Sequence, residues 1–260
     1  MIRNRFVNTV LPPGIALLVL LVAYLPTLQT IPNGSEHYYM IDVGETQIVL
    51  NQWGTLHATG YPLYVMSGNV LVALLRAFGM SPVTAPAAVS LIWGVITLAL
   101  IYVLALHLTR RTLIAAVVVV LYGLTRTVWI HNAIAEIYSM TLFLLVVLLL
   151  IALWQRPIMG RIYWLALIGG IGVAHHRAIA MAAPALILAV YPELRALLRR
   201  RPLALIVLVA LGLIGLLPYA YLMVRAEAGA AWVYGEPDTL QGLIDQFMGR
   251  EAERFIGMPA

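Results

Sequence analysis

The chain has 260 residues, of which 62% are hydrophobic and 10% charged, with a mean hydropathy of +0.93. A soluble domain carries about 25% charged residues, so this composition excludes a soluble enzyme, a disordered chain and a nucleic-acid-binding domain, and points to a polytopic helical membrane protein. There is no cysteine, which excludes disulfides and Cys-ligated metal centres, and all 16 basic residues are arginine. The net charge of +5 is spread along loops rather than gathered in one patch, so the arginines are read as topology signals.

In chain order the apolar runs are 11–31, 61–79, 84–108, 112–130, 134–154, 162–174, 178–192 and 202–224. A spanning helix needs about 20 such residues. The first run follows Arg3 and Arg5, contains Pro12, Pro13 and Pro26 and lacks a small-residue cleavage site, so it reads as an anchor and not as a signal peptide. If the N-terminus is inside and 61–79 crosses, the arginines divide 8 inside and 8 outside. If 61–79 lies on the outer surface, Arg3, Arg5, Arg110, Arg111, Arg156, Arg161, Arg195, Arg199, Arg200 and Arg201 fall inside, a 10 to 6 split that the positive-inside rule prefers. Ser67, Asn69 and Arg76 also suit an interfacial helix. The expectation is an all-α polytopic protein with about seven transmembrane helices plus an interfacial helix in the first external loop. The transmembrane domain is expected over 1–225, with an external loop at 32–83, and the external C-terminal segment over 226–260. The N-terminus is expected in the cytoplasm and the chain in the plasma membrane. Of the 11 acids only Glu193 then falls inside.

Three polar clusters meet the external face in this topology. The first contains Glu36, His37 and Asp42-Val-Gly44-Glu45, two carboxylates three apart around a glycine. A solvated loop with a helix capped by Asp42 accounts for it as well. The turn Thr59-Gly60-Tyr61-Pro62-Leu63-Tyr64 leads into the 61–79 run, with Pro62 in a first helical turn. The second cluster is Trp129-Ile-His131-Asn132-Ala-Ile-Ala135-Glu136-Ile-Tyr138. Glu136 either complements a helix dipole or lines a cavity. The third is Gly172-Val-Ala174-His175-His176-Arg177, whose polar side chains are costly in lipid and should face protein, water or a ligand. Carboxylates and a cation on one face suit deprotonation of a nucleophile beside a bound anion. His131, Glu136 and the His pair offer metal-ligand chemistry, but no metal is expected.

In this order the pieces resemble the protein O-mannosyltransferase-like membrane glycosyltransferases of the GT-C fold. The family pattern Asp-Ser-Gly-Glu appears as Asp42-Val43-Gly44-Glu45, and His-Pro-Pro-Gly-Tyr-Pro-Leu as His57-Ala58-Thr59-Gly60-Tyr61-Pro62-Leu63. Ala-Glu-Val-Tyr appears as Ala135-Glu136-Ile137-Tyr138, and the His pair as His175-His176. Leu217-Pro218-Tyr219, Arg225, Trp232, Gly235-Glu236-Pro237-Asp238 and Thr239-Leu240 follow as in the family. Val43, Ala58 and Thr59 depart from the pattern without removing an acid. The family's chains usually continue further, so an N-terminal fragment is expected.

The resemblance implies a polyprenyl-phosphate sugar donor, mannose-like, and a hydroxyl acceptor on a protein or glycan. It implies Asp42 as the base, with Glu45 holding the acceptor or Asp42 itself. Glu136 would orient a substrate, and His57 and Tyr61 would line the binding site. Arg177 with His175 or His176, and secondarily Arg225, would receive the polyprenyl phosphate; Arg suits phosphate well. The lipid-linked sugar is a co-substrate, and no cofactor is expected. The partners are the donor, the acceptor and membrane lipids, with no nucleic acid. Two other readings stay open: a catalytically inactive or partner-dependent scaffold subunit of the same fold, and a transporter or flippase.

Overall fold

A computed structural model describes residues 11–33, 40–156 and 158–250. Arg3, Arg5, Glu36, His37 and the last ten residues of the expected C-terminal segment lie outside the described residues. The regular elements among the described residues are all helical. They are α1 (Leu11–Tyr24), α2 (Val43–Gln52), α3 (Pro62–Ala77), α4 (Thr84–Thr109), α5 (Thr112–Gly123), α6 (Arg126–Ala133), α7 (Tyr138–Leu153), α8 (Arg161–His175), α9 (Ala183–Ala189), α10 (Tyr191–Arg200), α11 (Ala204–Ile214), α12 (Ala220–Glu227) and α13 (Leu240–Met248). Short 3-10 turns occupy Leu25–Thr27, Arg177–Ala182 and Leu217–Tyr219.

The expected count of seven spans is not met. Among the described residues, two helical stretches are long and apolar enough to cross a membrane, Thr84–Thr109 and Ala204–Glu227. Two bent pairs raise the number to four at most: α5 with α6, at 71°, and Arg177–Ala189 with α10, at 76°. The reason lies in where the helices break. The 112–130 run stops at Gly123, so α5 spans only about 18 Å at 1.5 Å per residue, against about 30 Å of hydrocarbon. The 178–192 run opens as a 3-10 turn and bends at Val190, before Tyr191-Pro192. Leu11–Thr27, Pro62–Ala77 and Tyr138–Leu153 are apolar but shorter than a span.

The chain forms two compact units. The first comprises 1–47 and 75–147. Its core joins α1, α4 and α5 through Ala16, Leu20, Tyr24, Leu91, Leu98, Tyr102, Ala115, Ala116 and Val119. The Tyr24 hydroxyl donates to the Gly123 carbonyl at 2.6 Å, capping α5 where the bend begins. A Cβ at Gly94 would lie 2.1 Å from Asn132 Oδ1, so only glycine lets α4 approach α6 this closely. Ser139 Oγ then donates to that same Oδ1 at 2.7 Å, and Thr97 Oγ1 to the Ser139 carbonyl at 3.2 Å. Side-chain polar groups satisfied in this way are the means by which irregular backbone is tolerated in an apolar setting.

The second unit comprises 48–74 and 148–260. Here α8 packs on α11 through glycines (Gly170 against Gly212 and Gly215). Arg161, read from the sequence as a topology signal, is buried. It donates to Glu193 at 2.9 Å and to the carbonyls of Trp154 and Arg156, which fastens the turn before α8 to α10.

Candidate functional site

In the first unit the Asp42 turn is built from both sides. The Thr46 N–H and hydroxyl both donate to the Asp42 carbonyl, at 3.0 and 3.1 Å, which starts α2 at that residue. Gln47 accepts the Asn33 N–H at 3.0 Å and donates to the Ile31 and Val83 carbonyls at 3.3 and 3.2 Å. A Cβ at Gly44 would stand 3.2 Å from the Asn33 carbonyl, so the glycine permits this close approach. Val43 packs on Ile134 and Ala135, the residues just before Glu136. Ser90 Oγ accepts the Glu136 N–H at 3.0 Å and donates to the Glu136 carbonyl at 2.9 Å. Asp42 and Glu136 therefore come to one place, and both are within electrostatic range of the Tyr138 hydroxyl. Asp42 and Glu45 are half-buried and Glu136 is 4% exposed, which departs from an acid merely decorating a solvated helix end. His131 is held by the Thr127 carbonyl at 2.8 Å and by the Tyr138 ring at 4.6 Å. An apolar cleft of about 610 Å³ opens on Met40, Trp129, Ile130 and Ile134, and among the described residues Arg126 is its charged wall residue.

In the second unit, Tyr61 is the hub. Its ring stands 5.4 Å from His57, 5.9 Å from His175 and 6.0 Å from His176. Tyr64, one helical turn on, is 6.3 Å from His175. Tyr61 adopts a left-handed backbone, φ 44°, directly after Gly60 at φ 87°. Such a conformation costs on the order of 1–3 kcal/mol for a bulky residue and persists where the surroundings fix it. Those surroundings are visible. Backbone carbonyls of the loop before Tyr61 accept from the C-terminal part of the unit: Trp53 from Arg225 Nε at 2.6 Å, Gly54 from Tyr221 at 2.9 Å, Leu56 from Gln246 at 2.9 Å and Thr59 from Tyr219 at 2.7 Å. Arg225 thus tethers a loop, a role that the sequence did not suggest.

The adjacent residues have distinct tasks. His176 Nδ1 accepts the Ala178 N–H at 3.2 Å, so its remaining nitrogen carries the proton in the neutral ring. Burial, and next the Arg177 charge, lower the His176 pKa below its ordinary value. Lowering the His176 pKa favours its neutral ring beside the Arg177 charge. Arg177 is exposed and donates to the Met248 carbonyl.

A family model for the N-terminal domain of the protein O-mannosyl-transferase TMEM260 matches residues 42–197. The chain belongs to this family. The match begins on Asp42 and contains Glu45, His57, Tyr61, Glu136, His175, His176 and Arg177, while Arg225 lies beyond it. No curated protein and no solved structure matches the chain. For this O-mannosyltransferase family member, the sequence singled out the acids and imidazoles and quoted Tyr64 only as part of a turn, while Ser90 and Arg126, which the structure sets beside them, were not singled out. Tyr64 was signalled by its i+3 spacing from Tyr61. Ser90, inside α4, and Arg126, at the start of α6, carried no signal that distinguishes them from other polar residues of helices.

Proposed function

We propose that this chain is a membrane glycosyltransferase that moves a mannose-like sugar from a polyprenyl-phosphate donor to a hydroxyl, such as a protein Ser or Thr, on the external face. The observation that carries the proposal is the family match, which starts at Asp42 and includes both acids of the Asp42-Val-Gly44-Glu45 turn. Asp42 removes the acceptor proton as the hydroxyl oxygen attacks the anomeric carbon. The bond from that carbon to the phosphate oxygen breaks, the configuration inverts, and polyprenyl phosphate leaves with the negative charge. Glu45 and Glu136 hold the acceptor and the sugar, and His57, half-buried beside the buried ring of Tyr61, offers the ring that a sugar packs against. Transfer of radiolabelled mannose from polyprenyl-phosphate mannose to a Ser/Thr peptide, in membranes with and without the chain, tests the reading. Label in the peptide only with the chain supports it. Donor binding without transfer favours the scaffold subunit instead.

Two arginines compete for the donor phosphate. Arg177 has the resemblance in its favour, and Arg126 has an apolar cleft beside it that suits an isoprenoid chain. Arg177→Ala is expected to weaken polyprenyl-phosphate binding by about tenfold or more, since a charge-assisted hydrogen bond contributes about 1.5–3 kcal/mol. Unchanged affinity, with a loss in Arg126→Ala, would move the phosphate site to the cleft. The orientation is testable too, because the chain has no cysteine of its own. Single cysteines at Arg110 and Arg199 are expected to react with an impermeant maleimide only from the cytoplasmic side. Labelling from outside would overturn the assignment.

A further inference from the structure

The second unit contains a feature that the transfer reaction does not use. Helix α10 bends 76° away from the helix before it and bears Arg195, Arg199 and Arg200, followed by Arg201, all exposed. Leu194, Leu197 and Leu198 on its other side are half-buried. Glu193, the acid of this helix, is already engaged by Arg161 at 2.9 Å. Among the described residues the four guanidinium groups have no acidic partner. Like charges at i and i+4, as at Arg195 and Arg199, repel one another unless an anion lies between them. A short helix with one basic and one apolar face lies in the membrane interface, and four or more arginines on it attract anionic lipid headgroups.

A groove of about 310 Å³ leads to this helix, walled by Leu165, Gly169, Val173, Ile187, Val190 and Leu194. Val190 is the bend and Leu194 the first turn of α10, so the apolar channel ends where the arginines begin. Arg177, which the proposed function assigns to the donor phosphate, is not among the residues that wall the groove; it donates to the Met248 carbonyl and packs on Gly249. The complement is a molecule with an acyl chain and an anionic phosphate. We propose that the groove and α10 together bind one anionic glycerophospholipid, with an acyl chain along the groove and the phosphate on Arg195 and Arg199. This lipid is separate from the sugar donor.

The test is native mass spectrometry of the purified full chain in detergent, with phosphatidylglycerol and phosphatidylcholine added in equal amounts. The expected result is retention of one phosphatidylglycerol, enriched several-fold over phosphatidylcholine. R195Q/R199Q should abolish the enrichment, while R110Q/R111Q, which removes the same charge elsewhere, should keep it. Gly169→Leu should reduce retention of the lipid, because Gly169 walls the groove and a Cβ there meets nothing within 4 Å, so the added side chain takes up groove space. Circular dichroism of each variant confirms that the helices remain. No enrichment in the wild type, enrichment surviving R195Q/R199Q, or equal loss in R110Q/R111Q would overturn the proposal. So would polyprenyl phosphate displacing the phospholipid from the same stoichiometric adduct.

Discussion

Asp42→Asn is expected to lower sugar transfer by at least about 10²-fold, the smaller end of what a positioned general base contributes, while donor affinity stays near that of the wild type. Asn matches Asp in size and keeps a hydrogen-bonding carbonyl, but it does not take a proton at neutral pH. The local fold should survive, because the atom of Asp42 that starts α2 is its backbone carbonyl, which accepts from Thr46. The flanking anchors, Gln47 on Asn33 and Val83 and the packing of Val43 on Ile134, do not involve the carboxylate. Single-turnover transfer and equilibrium binding of the donor, measured on the same preparations, separate the two quantities. Turnover retained in Asp42→Asn would remove Asp42 as base and turn attention to Glu136, which acts on the same Tyr138 hydroxyl within the first unit. Glu45→Gln serves as the comparison and is expected to raise the KM for acceptor more than it lowers kcat, since its assigned role is to hold the acceptor.

The acids, the imidazoles and Arg177 were legible in the sequence because polar groups stand out in a chain with so few charges. Their grouping was legible only in part. Val43 seats on Ile134 and so brings the Asp42 turn toward Glu136; Gly44 was legible as part of the motif, but Gln47, which ties the turn to Asn33 and Val83, does not mark a site by type. The loop from Trp53 to Thr59 is held through its carbonyls, and backbone acceptors leave no residue-type signature. The resemblance named Arg225 as a second phosphate candidate, and nothing in its residue type pointed to the tether on the Trp53 carbonyl. The span count failed for a related reason. Hydropathy sees apolar runs but not where the hydrogen-bond ladder stops. The 112–130 run bends after Gly123, and the 178–192 run bends before Pro192, yet Ala204–Glu227 carries its helical course through Pro218 in a 3-10 turn. Arg161 was counted as one more cytoplasmic charge and is a buried partner of Glu193.

Gly170→Ala is expected to be strongly damaging to the helix packing of the second unit. Its Cβ would stand 2.2 Å from the Gly212 carbonyl oxygen and 2.9 Å from the Gly212 Cα, both backbone atoms that no rotamer change can move. Gly215 is bound by the same contact from the other side, with its Cβ 2.5 Å from the Ile171 nitrogen and 2.8 Å from the Gly170 Cα. Helices in an apolar solvent associate by close packing of small residues, since lipid supplies little hydrophobic drive between them. Forcing α8 and α11 apart forfeits that packing along both helices. Overpacking typically costs about 1–3 kcal/mol, and backbone-to-backbone overlap belongs at or above the upper end. Gly212→Ala provides the internal control. Its Cβ would meet only the Ala166 carbonyl at 3.9 Å, ordinary contact, and alanine in a helix gains roughly 0.5–1 kcal/mol over glycine. The expected order of Tm in detergent is therefore Gly212→Ala at or above wild type, and Gly170→Ala and Gly215→Ala well below it, with little monodisperse protein recovered from the last two. A destabilised Gly212→Ala beside a stable Gly170→Ala would show that the two helices do not meet through these glycines, and the packing of the second unit would have to be redrawn around a different face of α8.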